Sequence, residues 1–314
     1  MRFDRLITLN VVRPFLAPPP AAAGRPCLPV LMYHGVSHDA EPGVHPYYRL
    51  RTSPPRFRQH LQWLKENGFR GVALRECFQK LSPPGLNVPG RPVAITFDDG
   101  FRDFHTNAFP ILREFDFAAT VYLPTAFIGD SRRSFRPSTG ANRPSAGCEC
   151  LTWNEVRELS AAGIEFGSHT VHHPELVHLT WDEIQSELQD SKREIEQRLG
   201  VEINAFSFPY AFPQAQRQFV RQFKDLLSWA GYKTCVTTKI GRVWPGDDPL
   251  EIPRQPANDA DDPALFAAKI AGAYDWLGRL QSLSKTLRKT IPRRRPGNGE
   301  CAARHRNRPI TSIS

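Results

Sequence analysis

Pro92-Val93-Ala94-Ile95-Thr96-Phe97-Asp98-Asp99-Gly100 is a short apolar run, rich in β-branched residues, that ends in two adjacent carboxylates and a glycine. A run of that length and make-up suits a strand buried on both faces, as in a parallel sheet. In parallel α/β folds the carboxyl ends of the strands form the active face, so Asp98 and Asp99 would sit on that rim. Adjacent acids at a strand end point in different directions, which lets one bind a metal while the other accepts a proton. Asp-Gly is also common turn chemistry. Taken alone, the stretch reads more readily as a turn.

A second stretch, Gly167-Ser168-His169-Thr170-Val171-His172-His173-Pro174, changes that balance. His169 and His173 are four apart, a spacing that brings two imidazoles to one side of a helical turn. Ile164-Glu165-Phe166 before them looks like another strand, so these histidines also fall at a strand end. Two histidines and one carboxylate suffice for a catalytic zinc site that keeps a position open for water. His172 reads as a solvated loop residue.

Together the two stretches resemble the NodB-type polysaccharide deacetylases, carbohydrate esterase family 4. Thr96–Gly100 matches that family's first motif and His169–Pro174 its second. Phe208-Pro209-Tyr210 is similar to the third, with Ser207 where the family usually has arginine. The similarity runs from about Pro29 to Trp276, some four-fifths of the chain. It implies a distorted (β/α)7 barrel within the α/β class, and a divalent metal, Zn2+, held by Asp99, His169 and His173. It further implies that Asp98 is the general base and that the backbone N–H of Tyr210 faces the oxyanion.

The family's late Leu-x-His motif is absent, and after His178 the next histidine is His305. A rearranged branch of the family, acting on exported poly-N-acetylglucosamine and similar polymers, takes its acid histidine from an N-terminal Tyr-His-x-Val segment. Tyr33-His34-Gly35-Val36 matches it, which assigns His34 as the acid that protonates the leaving amine. The alternative for His34 is a hydrogen-bonded strand-end histidine. With Ser207 in place of arginine, another cation must orient Asp98, and Arg254 is a candidate.

The chain has 314 residues and a net charge of +9, which raises nucleic acid or a membrane surface as a partner until the charge is localised. From Gly278 onward there are ten Lys/Arg and one acid, leaving 31 basic and 31 acidic residues in the rest. The body is therefore neutral, and nucleic acid is not an expected partner. Residues 278–314 lack apolar periodicity and read as a solvated, disordered basic tail, with contact to anionic surfaces as the alternative. Residues 1–27 read as an extension ending in the Pro/Ala linker Ala17–Ala23, and residues 28–277 as the deacetylase domain. Leu6–Val12 is too short and polar for a convincing signal segment. No run approaches the roughly twenty apolar residues of a membrane helix, so a cytoplasmic protein is expected. Cys27, Cys77, Cys148, Cys150, Cys235 and Cys301 do not resolve into a disulfide framework, and Cys148/Cys150 read as free thiols.

Taken in order, seven strands are expected at Leu28–Tyr33, Phe69–Leu74, Pro92–Phe97, Ala118–Leu123, Ile164–Ser168, Asn204–Phe208 and Tyr232–Thr237. Helices are expected between them, one beginning near Pro54 with Ser53 as its cap. Capping boxes open two more at Thr152-Trp153-Asn154-Glu155 and Thr180-Trp181-Asp182-Glu183. Alternation of strand and helix argues for a parallel sheet covered by helices, barrel or doubly wound. Ser131–Gly147 reads as a surface loop. The expected activity is removal of acetyl groups from N-acetylhexosamine units of a bacterial polysaccharide or its precursor. The alternatives are an O-acetyl esterase or small-amide hydrolase, and a sugar-binding relic without turnover.

Overall fold

The structure, a computed structural model, describes residues 2–15, 27–39, 41–79, 91–136, 147–278 and 280–281. Eight strands form one parallel sheet: β1 (Val30–Tyr33), β2 (Phe69–Val72), β3 (Arg91–Phe97), β4 (Thr120–Leu123), β5 (Glu165–Ser168), β6 (Ala205–Ser207), β7 (Thr234–Ile240) and β8 (Ile252–Pro256). Seven of them close a barrel in the order β1-β3-β4-β5-β6-β7-β8, with β8 pairing back onto β1.

The seven are not quite those expected from the sequence. β2 pairs only with the first half of β3, through Val72↔Ala94, and β4 takes over that edge from Thr96↔Thr120. It is a wedge at the amino end of the barrel. The seventh stave is β8, Ile252-Pro253-Arg254-Gln255-Pro256, which joins β7 through Ile240↔Arg254 and β1 through Leu31↔Gln255.

Period-two alternation sorts the side chains. Leu31, Val93, Ile95, Phe97, Val121, Leu123, Phe206 and Cys235 point outward into the core shared with the helices. Val30, Ala94, Tyr122, Ala205, Val236 and Ile252 line the axis in a smaller cluster. Gly167 leaves room there, because a Cβ at that position would lie 2.6 Å from the Tyr122 ring. The barrel is thus packed with side chains, and its interior is no channel.

Helices follow the strands as expected, with local differences. Both capping boxes form, Thr152 with Glu155 at Trp153–Ala161 and Thr180 with Glu183 at Trp181–Leu199. Ser53 stands at the cap of Pro54–Glu66, but its hydroxyl donates to Asp259 and makes no capping bond. After β3 the chain passes through a π-type segment, Phe104–Ala108, into the helix Phe109–Phe115. The last helix spans Pro263–Ile270. Of Ser131–Gly147, expected to be a surface loop, residues 137–146 lie outside the described residues; before them Ser134–Phe135 pairs with Cys148–Glu149, and Phe135 is buried.

The N-terminal extension is docked where it is described. Arg2 bonds Asp261, Asp4 accepts from Tyr274, and Thr8 accepts from the Trp276 indole. The linker Ala17–Ala23 and tail residues 282–314 lie outside the described residues.

Candidate active site

The same alternation that buries Val93, Ile95 and Phe97 outward turns Thr96 and Asp98 toward the axis at the barrel's carboxyl mouth. β1 extends the ladder beside them, the Asp98 N–H donating to the Tyr33 carbonyl at 3.1 Å. Asp99 then turns away with φ 72°, and Gly100 follows at φ 59°. The strand-end carboxylates part as their adjacency implies.

Across the mouth, β5 delivers His169 and the loop beyond it His173. Both Nε2 atoms lie 3.5 Å from Asp99 Oδ1, and all three side chains are buried. Among the described residues, Asp99, His169 and His173 are the one group able to hold a metal, their donor atoms within 4.8 Å of one another. Cys148 and Cys150 belong to no such group among those residues, and His172 is exposed on the loop's outer side.

The donor set fits a divalent cation. Ligands about 2.1 Å from a tetrahedral ion lie about 3.4 Å apart, close to the spacing here and too long for good hydrogen bonds. His169 Nδ1 contacts the Ser207 carbonyl at 2.8 Å, which assigns its proton there and leaves the Nε2 lone pair facing Asp99. At His173 burial and the neighbouring His169 lower the imidazole pKa to about 4, so that ring is neutral, as a ligand must be. At His169 burial is the largest single influence and pulls down, but Asp99, Asp98 and the Ser207 carbonyl together make the net shift upward.

Asp98 is as deeply buried as Asp99. Burial is the largest single influence and would raise its carboxyl, but Arg254, His169 and His34 together hold it well below the usual carboxylate range. Arg254 Nη1 and Nη2 donate to its two oxygens at 2.8 and 2.7 Å, and Ser207 Oγ donates to Oδ1 at 3.0 Å. Arg254 also reaches Thr96 Oγ1 and the Thr237 carbonyl, so its planar head is fixed at several points. It lies within β8 rather than after the last strand.

His34, at the end of β1, is half-buried and close enough for its charge to act on Asp98, Asp99 and His173. Tyr210 follows Phe208-Pro209 with φ 56°, and its ring meets that of His173 at 4.5 Å. Phe135 covers another side of His173 at 5.1 Å. All the expected site residues converge on one mouth.

Five non-glycine residues have positive φ among those described, and four of them (Asp99, Thr170, His173, Tyr210) belong to this site. Each such residue costs on the order of 1–3 kcal/mol and persists only where its surroundings overdetermine it. For the histidine loop the enforcing group is Glu187, from the helix Trp181–Leu199. Its Oε2 accepts the N–H groups of Val171 at 2.7 Å and His172 at 3.0 Å, and its Oε1 meets His172 Nδ1 at 2.7 Å. Thr170 Oγ1 accepts the His173 N–H from inside the loop. The sequence reading missed Glu187: it is one of many acids on a charged helix, and nothing in its spacing singles it out.

A parallel seven-stave barrel with an Asp-His-His cluster and a second, arginine-held aspartate at its mouth defines a class of hydrolase-like scaffold. Residues 85–230 match the model of the polysaccharide deacetylase family. The chain is 28% identical over 214 residues to YxkH of Bacillus subtilis strain 168, whose own name carries the polysaccharide deacetylase assignment as provisional; the match spans 68% of this chain and 65% of YxkH. It is 30% identical over 141 residues to the poly-β-1,6-N-acetyl-D-glucosamine N-deacetylase of Escherichia coli K12, covering 45% of this chain and 20% of that enzyme. Among solved structures, the Streptococcus pyogenes deacetylase PplD in complex with acetate superposes with a TM-score of 0.64. Identity there is 26%, over 78% of this chain and 99% of that one.

Proposed function

We propose that this chain is a metal-dependent amidase that removes acetyl groups from N-acetylhexosamine units of a polysaccharide of the poly-N-acetylglucosamine type. The observation that carries the reading is the convergence of Asp99, His169 and His173 beside a buried, ionised Asp98. The naming of relatives as poly-β-1,6-N-acetyl-D-glucosamine N-deacetylases supports the substrate class.

Asp99, His169 and His173 would hold the cation, Zn2+ by its preference for this donor set, which when bound supplies Lewis acidity to the acetyl carbonyl and the attacking water. Asp98 accepts the proton of that water. Its pairing with Arg254 keeps it ionised through neutral pH but also makes it a weak acceptor, so the water must be acidified for transfer to proceed. In this reading the Tyr210 N–H, beyond a proline that has none to give, donates to the oxyanion. His34 supplies the proton that the amine nitrogen needs as the C–N bond breaks. The products are acetate and a protonated amine on the sugar.

Acetate release from N-acetylglucosamine oligomers, before and after chelation and with Zn2+ restored, tests this. Release abolished by chelator and restored by metal is expected. Hydrolysis of acetylated xylan with none of the oligomers would favour the O-acetyl esterase reading instead.

A further inference from the structure

Between the helices Trp181–Leu199 and Arg217–Trp229 runs a groove of about 360 Å³, lined by Trp181, Gln185, Gln222, Asp225, Leu226 and Trp229. Trp181 is 38% and Trp229 57% exposed, an unusual placement for two of the chain's six tryptophans. Trp181 packs on Phe219 with ring centroids 5.1 Å apart, fixing the upper end. From Phe219 to Trp229 the helix rises about 15 Å, so the groove descends the barrel's flank from the rim. Its upper end belongs to the helix that follows the His169–His173 loop and carries Glu187.

The side chains in this groove are uncommitted. Gln185, Gln222 and Asp225 make no side-chain hydrogen bond or ion pair among the described residues, and the indoles present apolar faces beside them. Such a mixture matches one chemistry well. The C–H face of a pyranose ring is weakly positive and stacks on an indole. Its hydroxyls and acetamides need planar donors and acceptors, which two glutamines supply. A deacetylated unit carries an ammonium, for which Asp225 beside an indole gives a charge partner and a π face.

We propose that this groove is a second binding site for hexosamine polymer, taking partly deacetylated sugar units beside the catalytic mouth; the inference rests on the substrate class proposed above. Charge complementarity selects this occupant, since the reaction turns neutral units into cations and the groove's one charge is a carboxylate. A face between copies of the chain would engage about 20–30 residues a side, far more than line this groove.

The test separates polymer retention from turnover. Co-sedimentation with partially acetylated chitosan should show retention reduced about fivefold in Trp229→Ala and partly recovered in Trp229→Phe. In Asp225→Asn, retention should fall more on weakly acetylated than on highly acetylated chitosan. Acetate release from an N-acetylglucosamine trimer should be unchanged in all three variants. Unchanged retention in Trp229→Ala would overturn the inference. So would sedimentation showing a parent dimer that this substitution dissociates. A parent that retains chitosan through Trp229 but cleaves no trimer would remove the proposed function while leaving the groove's role standing.

Discussion

Arg254 and Asp98 face each other across the barrel mouth from strands that are 156 residues apart in sequence, joined by two hydrogen bonds of 2.8 and 2.7 Å and both shielded from solvent. The arginine supplies from β8 the cation that Ser207 cannot supply from β6, while Ser207 keeps a hydroxyl on the same carboxylate. One residue thus orients the proposed base and neutralises it.

Removing either partner leaves the other charge buried. Arg254→Met should lower unfolding stability by about 3–5 kcal/mol, the cost of an uncompensated buried ion. Arg254→Lys keeps the charge but loses the bidentate fork, and should lose activity with less destabilisation. Urea unfolding with parallel assays checks both; a Met variant as stable as the parent would show that the pair is already open to water.

Metal content is the direct check on the three ligands. Asp99→Ala, His169→Ala and His173→Ala should each purify without stoichiometric metal, whereas His172→Ala, outside the cluster, should retain it. Full occupancy in the three ligand variants would refute the site.

Glu187 touches no ligand side chain yet accepts two N–H groups of the loop between His169 and His173. Losing such an outer support typically weakens metal binding about 10–100-fold. Glu187→Ala should therefore show that loss in a chelator competition, and Glu187→Gln, which retains one acceptor oxygen, a smaller one. Equal affinity in parent and Ala variant would reduce Glu187 to a surface acid.

His34 is tested by the leaving group. An amine must be protonated as it departs, whereas an activated aryl alcohol departs unaided. His34→Ala should cost about a hundredfold or more on N-acetylglucosamine oligomers and far less on an aryl acetate, with metal unchanged. Equal losses on both substrates would make His34 structural.

His60 predicts a pH dependence far from the chemistry. It is buried against Phe266 at 4.0 Å, with Nδ1 2.9 Å from the Tyr33 hydroxyl and Nε2 2.8 Å from the Asp261 carbonyl. Asp261 itself is paired with Arg2 and Lys269. Burial lowers the His60 pKa from 6.5 to about 4. Below pH 6.5 the unfolded chain binds a proton that the folded chain refuses, so stability is full above that pH. It should fall toward pH 4 by about 1.4 kcal/mol per unit. Asp103, raised by burial to about 6, slopes the opposite way. The measurement is therefore parent against His60→Gln at pH 7 and 5: the variant should lose less on acidification, and identical slopes would exclude His60.

What the sequence determined by itself was local. Thr96–Gly100 and His169–Pro174 carry their chemistry in adjacent residues at strand ends, and the two capping boxes are four-residue signals, so contiguous reading found them. The barrel's closure was not local. Ile252–Pro256 holds two prolines and an arginine, a composition that argues against a central strand because proline cannot donate to the ladder. Only β7 on one side and β1 on the other make it a stave. Arg254 could be named from the sequence only as a candidate, because Ser207 left Asp98 without its expected arginine; its bidentate pairing depends on the closed barrel. The Glu187 support and the Trp181–Trp229 groove depend on the same long-range placement, and their sequence spacing carries no period to betray them.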